Sequence, residues 1–327
     1  MTDLLRPSRA LLPLLFLLLA CVPFAAAAAQ QPFWTSFFAR ILIYAIAASA
    51  LNLALGYGGP GGFRQSLFLG VGASAVALRA FHGIGSGWAH LLFCLAGGAA
   101  VALVIGAISL RTSGMAFIMI TLAFAQMGYF LLVSLKFYGG DDGLPVAAPS
   151  RFGALDLGSA PVLYGVAWAV LLVLTWWMSR LRAAPFGMAL RAARQNARRV
   201  DAMGLQSRRL QLAAFTLSGT ACALAGALLA NLNAFVSPSS MSWSVSGELI
   251  VMVVLGGIGT VAGPVMGALV FLGLEEGLKG VTEHWMALFG PLIVLMAMFG
   301  RRGIVGWIEA LEQSRWPARA GAGRGRR

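Results

Sequence analysis

A chain of 327 residues that is 59% hydrophobic and only 11% charged cannot be an ordinary water-soluble domain, in which about 25% of residues carry charge. Its net charge of +13 collects in short loops and at the termini, between apolar stretches. That placement excludes a nucleic-acid-binding face and fits the gathering of Arg and Lys on the cytoplasmic side of a membrane. The expected fold is all-α: a polytopic transmembrane helix bundle of about ten spans, some short or broken.

The first apolar stretch, 11–29, follows Arg6 and Arg9 and ends in Ala25 to Ala29. It reads as a cleaved signal peptide or as a retained span, and Leu18-Leu19-Ala20-Cys21 resembles an imperfect lipoprotein site. Residues 1–33 are therefore set apart as an N-terminal segment, after which the chain begins outside. Runs long enough to cross a hydrocarbon core of about 30 Å follow at 34–57, 88–110, 115–135, 161–179 and 211–231. Shorter, glycine-interrupted runs lie at 67–81, 244–258, 262–275 and 285–299. Broken segments survive at membrane depth only inside protein or along a cavity, so these are the expected walls of a pathway. The transmembrane domain is placed at 34–305 and a basic cytoplasmic tail at 306–327.

Charge orients the spans. Residues 180–210 hold Arg180, Arg182, Arg191, Arg194, Arg198, Arg199, Arg208 and Arg209 against Asp201, and the chain beyond 300 holds seven arginines against Glu309 and Glu312. Both regions belong inside, so an even number of crossings separates them. Splitting 244–275 into two helices around Gly256–Gly263 satisfies that parity. It also leaves Glu275, Glu276, Lys279 and Glu283 outside, and the loop 136–160 with Asp141, Asp142 and Asp156 likewise falls outside.

Catalytic chemistry is not indicated. Lys136 and Lys279 both follow Leu, so no phosphate-binding Gly-Lys loop exists. His82, His90 and His284 are scattered, and Cys21, Cys94 and Cys222 lie in apolar runs as small buried hydrophobes. No catalytic residue, cofactor or metal ligand is expected. Arg40, Arg64 and Glu248 are the charged residues near spans, the first two near span ends and Glu248 within reach of the outer interface. Without a series of buried acids, proton-driven transport is disfavoured.

The stretch 185–204 is the most informative. Pro185 can open a helix, small or apolar residues at 186, 189, 190, 193, 197 and 200 form one stripe, and Gly204 can end it. Such an amphipathic helix either lies on lipid headgroups or fits a groove on a soluble partner. Periodicity does not choose.

Phe186-Gly187, Ala189-Leu190-Arg191-Ala192 and Ala202-Met203-Gly204 resemble the coupling loop of LivM-type branched-chain amino-acid permeases. Further stretches match in order: Thr121 to Gln126, Gly139 to Leu144, Ser218-Gly219 with Ala225 to Leu228, and Gly256 to Ala268. The resemblance covers roughly 40 to 305. It implies a type-II-importer-like permease of the bacterial inner membrane that carries branched-chain or related amino acids. The implied partners are a homologous permease subunit in a heterodimer, two ATP-binding cassette ATPases and a periplasmic substrate-binding protein, with membrane lipid around and no nucleic acid.

By the same resemblance Phe186, Gly187, Arg191, Arg194, Asp201 and Gly204 form the ATPase-coupling loop. Gly256, Gly257, Gly259, Thr260, Gly263, Pro264 and Gly267 read as a packing turn without substrate contact, with small residues that let two helices approach. Gly140, Asp141, Asp142 and Gly143 form an outer loop that is either merely solvated or suited to contact a delivery protein. The chain departs from the family at Gln195, Ala197, Arg199 and Val200, and at Gly62-Phe63-Arg64-Gln65-Ser66-Leu67 in place of Gly-Gln-x-Ser-Leu-Gly. Those departures bear on the ATPase contacts and the substrate. Relatives with urea, amides or other amino acids as solutes, and an ATPase-independent secondary transporter or channel, are the competing expectations.

Overall fold

The computed structural model describes residues 7–28, 30–58, 62–153, 155–299 and 303–307; most of the basic tail lies outside these. Helices carry the apolar stretches in order. They are α1 (Pro7–Ala28), α2 (Pro32–Asn52), α3 (Gln65–Phe81), α4 (Gly87–Ser109), α5 (Met115–Ser134) and α6 (Ala160–Ala183), followed by α7 (Pro185–Gln195) and α8 (Ala197–Ala202) in the Arg-rich loop. Then come α9 (Ser207–Asn233), α10 (Trp243–Gly256), α11 (Gly263–Val281) and α12 (Trp285–Phe299). Five helical stretches, Pro32–Gly58, Gly87–Ser109, Met115–Ser134, Ala160–Ala183 and Ser207–Asn233, are long and apolar enough to cross a membrane. The helices at 65–81, 243–256 and 285–299 are shorter.

The centre is α2. Its run from Ile41 to Leu51 is buried throughout, because alternating small and branched side chains let neighbours close on every side. Against it and α3 lies α9, whose Ser218, Gly219, Cys222 and Gly226 bring backbones together: a Cβ on Gly226 would overlap the Leu69 carbonyl. By contrast α5 is the least covered of the long spans. Its Met115, Met119, Met127, Phe130 and Leu131 face outward.

In α1 the cause of packing can be read atom by atom. Pro23 has no N–H, so the carbonyl of Leu19, one helical turn earlier, loses its usual partner. Tyr164 of α6 donates its hydroxyl to that carbonyl at 2.6 Å, and Trp168 donates to the Phe16 carbonyl at 3.2 Å. Phe16 and Leu19 are buried there, whereas Cys21 is exposed. The expectation that all three cysteines are buried is corrected for this one; Cys94 and Cys222 are buried.

Between the helices, β1 (Leu144–Pro145) pairs with β4 (Phe235–Val236), and β2 (Arg151–Phe152) with β3 (Leu155–Asp156), all antiparallel. Inside the bundle the first turns of α3 and α10 meet, with Ser66 and Ser246 fully buried. The Ser66 N–H donates to Ser246 Oγ at 2.9 Å, Ser66 Oγ donates to the Met241 carbonyl at 3.1 Å, and Ser246 Oγ donates to the Phe63 carbonyl at 3.0 Å. Backbone groups freed by the breaks thus find partners inside the protein, as the bilayer requires.

Candidate coupling site

The stretch 185–204 is not one helix. α7 ends at Asn196, which is extended (φ −156°), and Asn196 Oδ1 accepts from the Arg199 N–H at 3.1 Å to start α8. Asn is a strong N-cap residue and its side chain competes with helical hydrogen bonding, which the apolar stripe alone does not reveal. Gly204, at φ +84°, ends α8 in a conformation natural only to glycine. Asp201 Oδ1 then accepts from the Ser207 N–H at 2.8 Å, tying α8 to the start of α9.

The apolar stripe faces neither lipid nor a groove on another protein. Gly187, Leu190, Ala193 and Val200 are buried, and Leu190 packs with Leu53, Tyr57, Met178 and Ala214, with Phe186 beside them. Gly187 permits this fold-back, since a Cβ there would overlap the Leu181 carbonyl. Arg191 Nη2 donates to the Arg182 carbonyl at 3.0 Å, locking α7 onto the end of α6. What faces solvent is a different set, with Met188 52%, Met203 65% and Leu205 45% exposed, next to exposed Arg198 and Arg199.

Arg194 carries the chain of contacts inward. Its Nη1 donates to the carbonyl of Gly56, which lies in a π-helical turn (Leu53–Gly58) continuing α2. π turns leave the regular ladder and recur at functional positions. Just before it, fully buried Asn52 reaches across to the turn between α10 and α11: Nδ2 donates to the Thr260 carbonyl at 2.7 Å and Oδ1 accepts from the Gly259 N–H at 2.8 Å. Gly56 itself lies so close that a Cβ there would stand 2.9 Å from the Gly259 nitrogen.

The glycine turn is held from within as well. Thr260 Oγ1 donates to the Gly257 carbonyl at 2.8 Å and accepts from the Gly263 N–H at 3.0 Å, while Pro264 opens α11. Gly257 and Gly259 have φ of +120° and +79°. A Cβ on Gly256 would overlap the Gly263 carbonyl, and one on Gly267 the Met252 carbonyl.

The structure therefore joins Arg194 of the Arg-rich loop to the glycine turn through α2. Asn52 and Gly56 are the residues that the sequence did not single out. The only local signal was a lone Asn closing the apolar run of α2. Beside this junction, a cavity of about 610 Å³ is lined by Gly58, Leu110, Gly114, Phe117 and Arg194 among others. Gly140, Asp141, Asp142 and Gly143 lie far in sequence and stand apart in the outer loop. Asp141 and Asp142 are exposed on a tight turn whose Gly139, Gly140 and Gly143 all have positive φ. Among the described residues no group of His, Cys, Asp and Glu could hold a metal.

Residues 34–298 match the family described as "Branched-chain amino acid transport system / permease component". The chain is 32% identical over 143 residues to the high-affinity branched-chain amino acid transport system permease protein LivM of Escherichia coli K12, covering 44% of this chain and 34% of that protein. It is 32% identical over 150 residues to the fructose import permease protein FrcC of Rhizobium meliloti, covering 43% and 41%. LivH of Escherichia coli K12 is 26% identical over 164 residues, covering 49% and 52%. The chain thus spans about a third to a half of the length of these curated relatives, and no solved structure matches it. Because the family match runs from 34 to 298, most of the sequence, the chain belongs to the permease-component family of branched-chain amino acid transport systems.

Proposed function

We propose that this chain is the multi-pass permease subunit of an ABC importer of the bacterial inner membrane for branched-chain or related amino acids. In this reading residues 34–305 form the pathway domain, paired with a homologous permease and served outside by a binding protein that meets the Gly140–Gly143 turn. The chain itself makes and breaks no covalent bond; two separate ATPases supply the energy. One observation carries the coupling assignment: Arg194 and Asn52 connect α7 through α2 to the α10–α11 turn. A push on the loop is thereby passed to three helices at once. The ATPase-facing surface is the exposed Met188, Arg198, Arg199, Met203 and Leu205, and Phe186, Gly187 and Arg191 hold it against the bundle. Asp201 and Gly204 hold the corner between α8 and α9.

Gly204→Val tests the assignment. Nothing lies within 4 Å of a Cβ at this position, so the cost falls on the φ of +84°, about 1–2 kcal/mol for a side-chain-bearing residue. The subunit should still insert and assemble, while stimulation of ATPase activity by loaded binding protein and solute uptake in proteoliposomes both drop. Full stimulation with intact uptake would return α7 and α8 to an ordinary cytoplasmic loop. The similarity to FrcC supports a second reading, a solute outside the amino acids; the ligand that copurifies with the cognate binding protein decides between them.

A further inference from the structure

Arg64 is the largest fully buried side chain among the described residues, at 0% exposure. None of its three guanidinium nitrogens has a hydrogen-bond partner among the described residues, and no described carboxylate lies within 4.0 Å of them. Its contacts are aromatic: the guanidinium carbon sits 4.1 Å from the ring centre of Phe215 and 5.6 Å from that of Phe117. Ring faces attract a cation, but they leave five N–H donors unused. Arg64 stands near a span end, as the sequence suggests, at the N-cap of α3, and its side chain is fully buried.

The surroundings say what the guanidinium awaits. It stands at the N-terminus of the 17-residue α3, where the helix dipole adds positive potential. The Thr121 hydroxyl and Gly62 lie alongside: a Cβ on Gly62 would stand 3.2 Å from Arg64 Nη1 and touch Thr121. Phe117 has two faces to its role, for it covers Arg64 and lines the cytoplasmic cavity of about 610 Å³. The Phe117 ring is thus shared between a buried cation without a hydrogen-bond partner among the described residues and a space large enough for an amino acid. That ring belongs to α5, the least covered long span. A planar fork of donors matches a carboxylate in two-point fashion, and Phe215 offers an apolar wall for an aliphatic side chain.

We infer that Arg64 is the carboxylate-binding group of a solute site in the cytoplasmic half of the pathway, closed in this conformation by Phe117. The inference rests on the amino-acid reading above and narrows it: the solute carries a carboxylate, and α5 must move before the site fills.

Equilibrium binding of three probes to the assembled complex in nanodiscs, without binding protein, tests it: leucine, isocaproate (the acid without the amine) and leucinamide (the amine without the acid). The wild type should bind leucine and isocaproate and bind leucinamide at least tenfold more weakly. Arg64→Met should weaken both carboxylates at least tenfold and leave leucinamide unchanged, Arg64→Lys should fall between, and Phe117→Ala should tighten both carboxylates by uncovering the cation. Unchanged carboxylate affinity in Arg64→Met, or wild-type binding that ignores the carboxylate, overturns the site. If Arg64→Met instead splits the two permease subunits while probe binding survives, the arginine serves a subunit ion pair and the inference fails. Failure of the amino-acid reading looks different: carboxylate binding persists, but the wild-type complex shows no ATP-driven uptake of leucine.

Discussion

Asn52→Ala isolates the link between α2 and the glycine turn. The substitution removes two hydrogen bonds, of 2.7 and 2.8 Å, and leaves the Thr260 carbonyl and the Gly259 N–H without partners. A buried polar group left unsatisfied costs about 1–3 kcal/mol. Gly259 and Thr260 are half-buried, so the lower part of that range applies to each, and about 2–3 kcal/mol is expected in all. Asn52→Asp keeps an acceptor for Gly259 but sets a carboxylate oxygen against the Thr260 carbonyl at a fully buried position, so at neutral pH it should cost at least as much as Ala. The assay is SDS titration of the purified subunit in mixed micelles, followed by tryptophan fluorescence, with ATPase stimulation measured on the assembled complex. Loss of stability should come with weaker coupling, because Gly56, the acceptor for Arg194, packs against the same turn. Asn52→Ala within about 0.5 kcal/mol of wild type, below the cost of a single orphaned group, would refute the reasoning.

Much of this architecture was legible in the sequence, and the failures have physical causes. Long apolar runs must be helical in lipid, because no other single segment satisfies its own backbone; the positions of α2, α4, α5, α6 and α9 follow from that alone. The break between α10 and α11 was forced by charge parity, and the glycines found there make the turn sterically feasible. The stripe on 185–204 had the right period but the wrong addressee. Periodicity says which face is apolar, not whether it meets lipid, a partner or the protein's own bundle, and Leu190 meets Leu53 and Met178. Asn52 was passed over, and Arg64 was placed only at a span end, for another reason: each is a single polar residue beside an apolar run, and one residue has no period. Their meaning lies in contacts across 208 positions for Asn52 and Thr260, or, for Arg64, in a guanidinium without a hydrogen-bond partner among the described residues. Neither is encoded in neighbouring sequence.

Two further substitutions test the packing. Gly267→Leu should prevent stable assembly, since even a Cβ there overlaps the Met252 carbonyl, whereas Gly273→Leu on the same helix meets nothing within 4 Å and should be tolerated; equal expression and stability of the two would remove the close-approach argument. The last concerns α1. The Leu19 carbonyl has lost its i+4 donor to Pro23 and depends on the Tyr164 hydroxyl at 2.6 Å. Tyr164→Phe should therefore cost about 1–3 kcal/mol, the range for orphaning a buried acceptor. Pro23→Ala gives the helix back an N–H at the position where Leu19 can use it, so the phenol matters less in that background. A double-mutant cycle should then show the pair coupled by at least about 1 kcal/mol, with Tyr164→Phe milder in the Pro23→Ala background than in the wild type. Additivity within about 0.3 kcal/mol would mean that Tyr164 holds α1 by its ring alone and that the proline-orphaned carbonyl is not what binds α1 to α6.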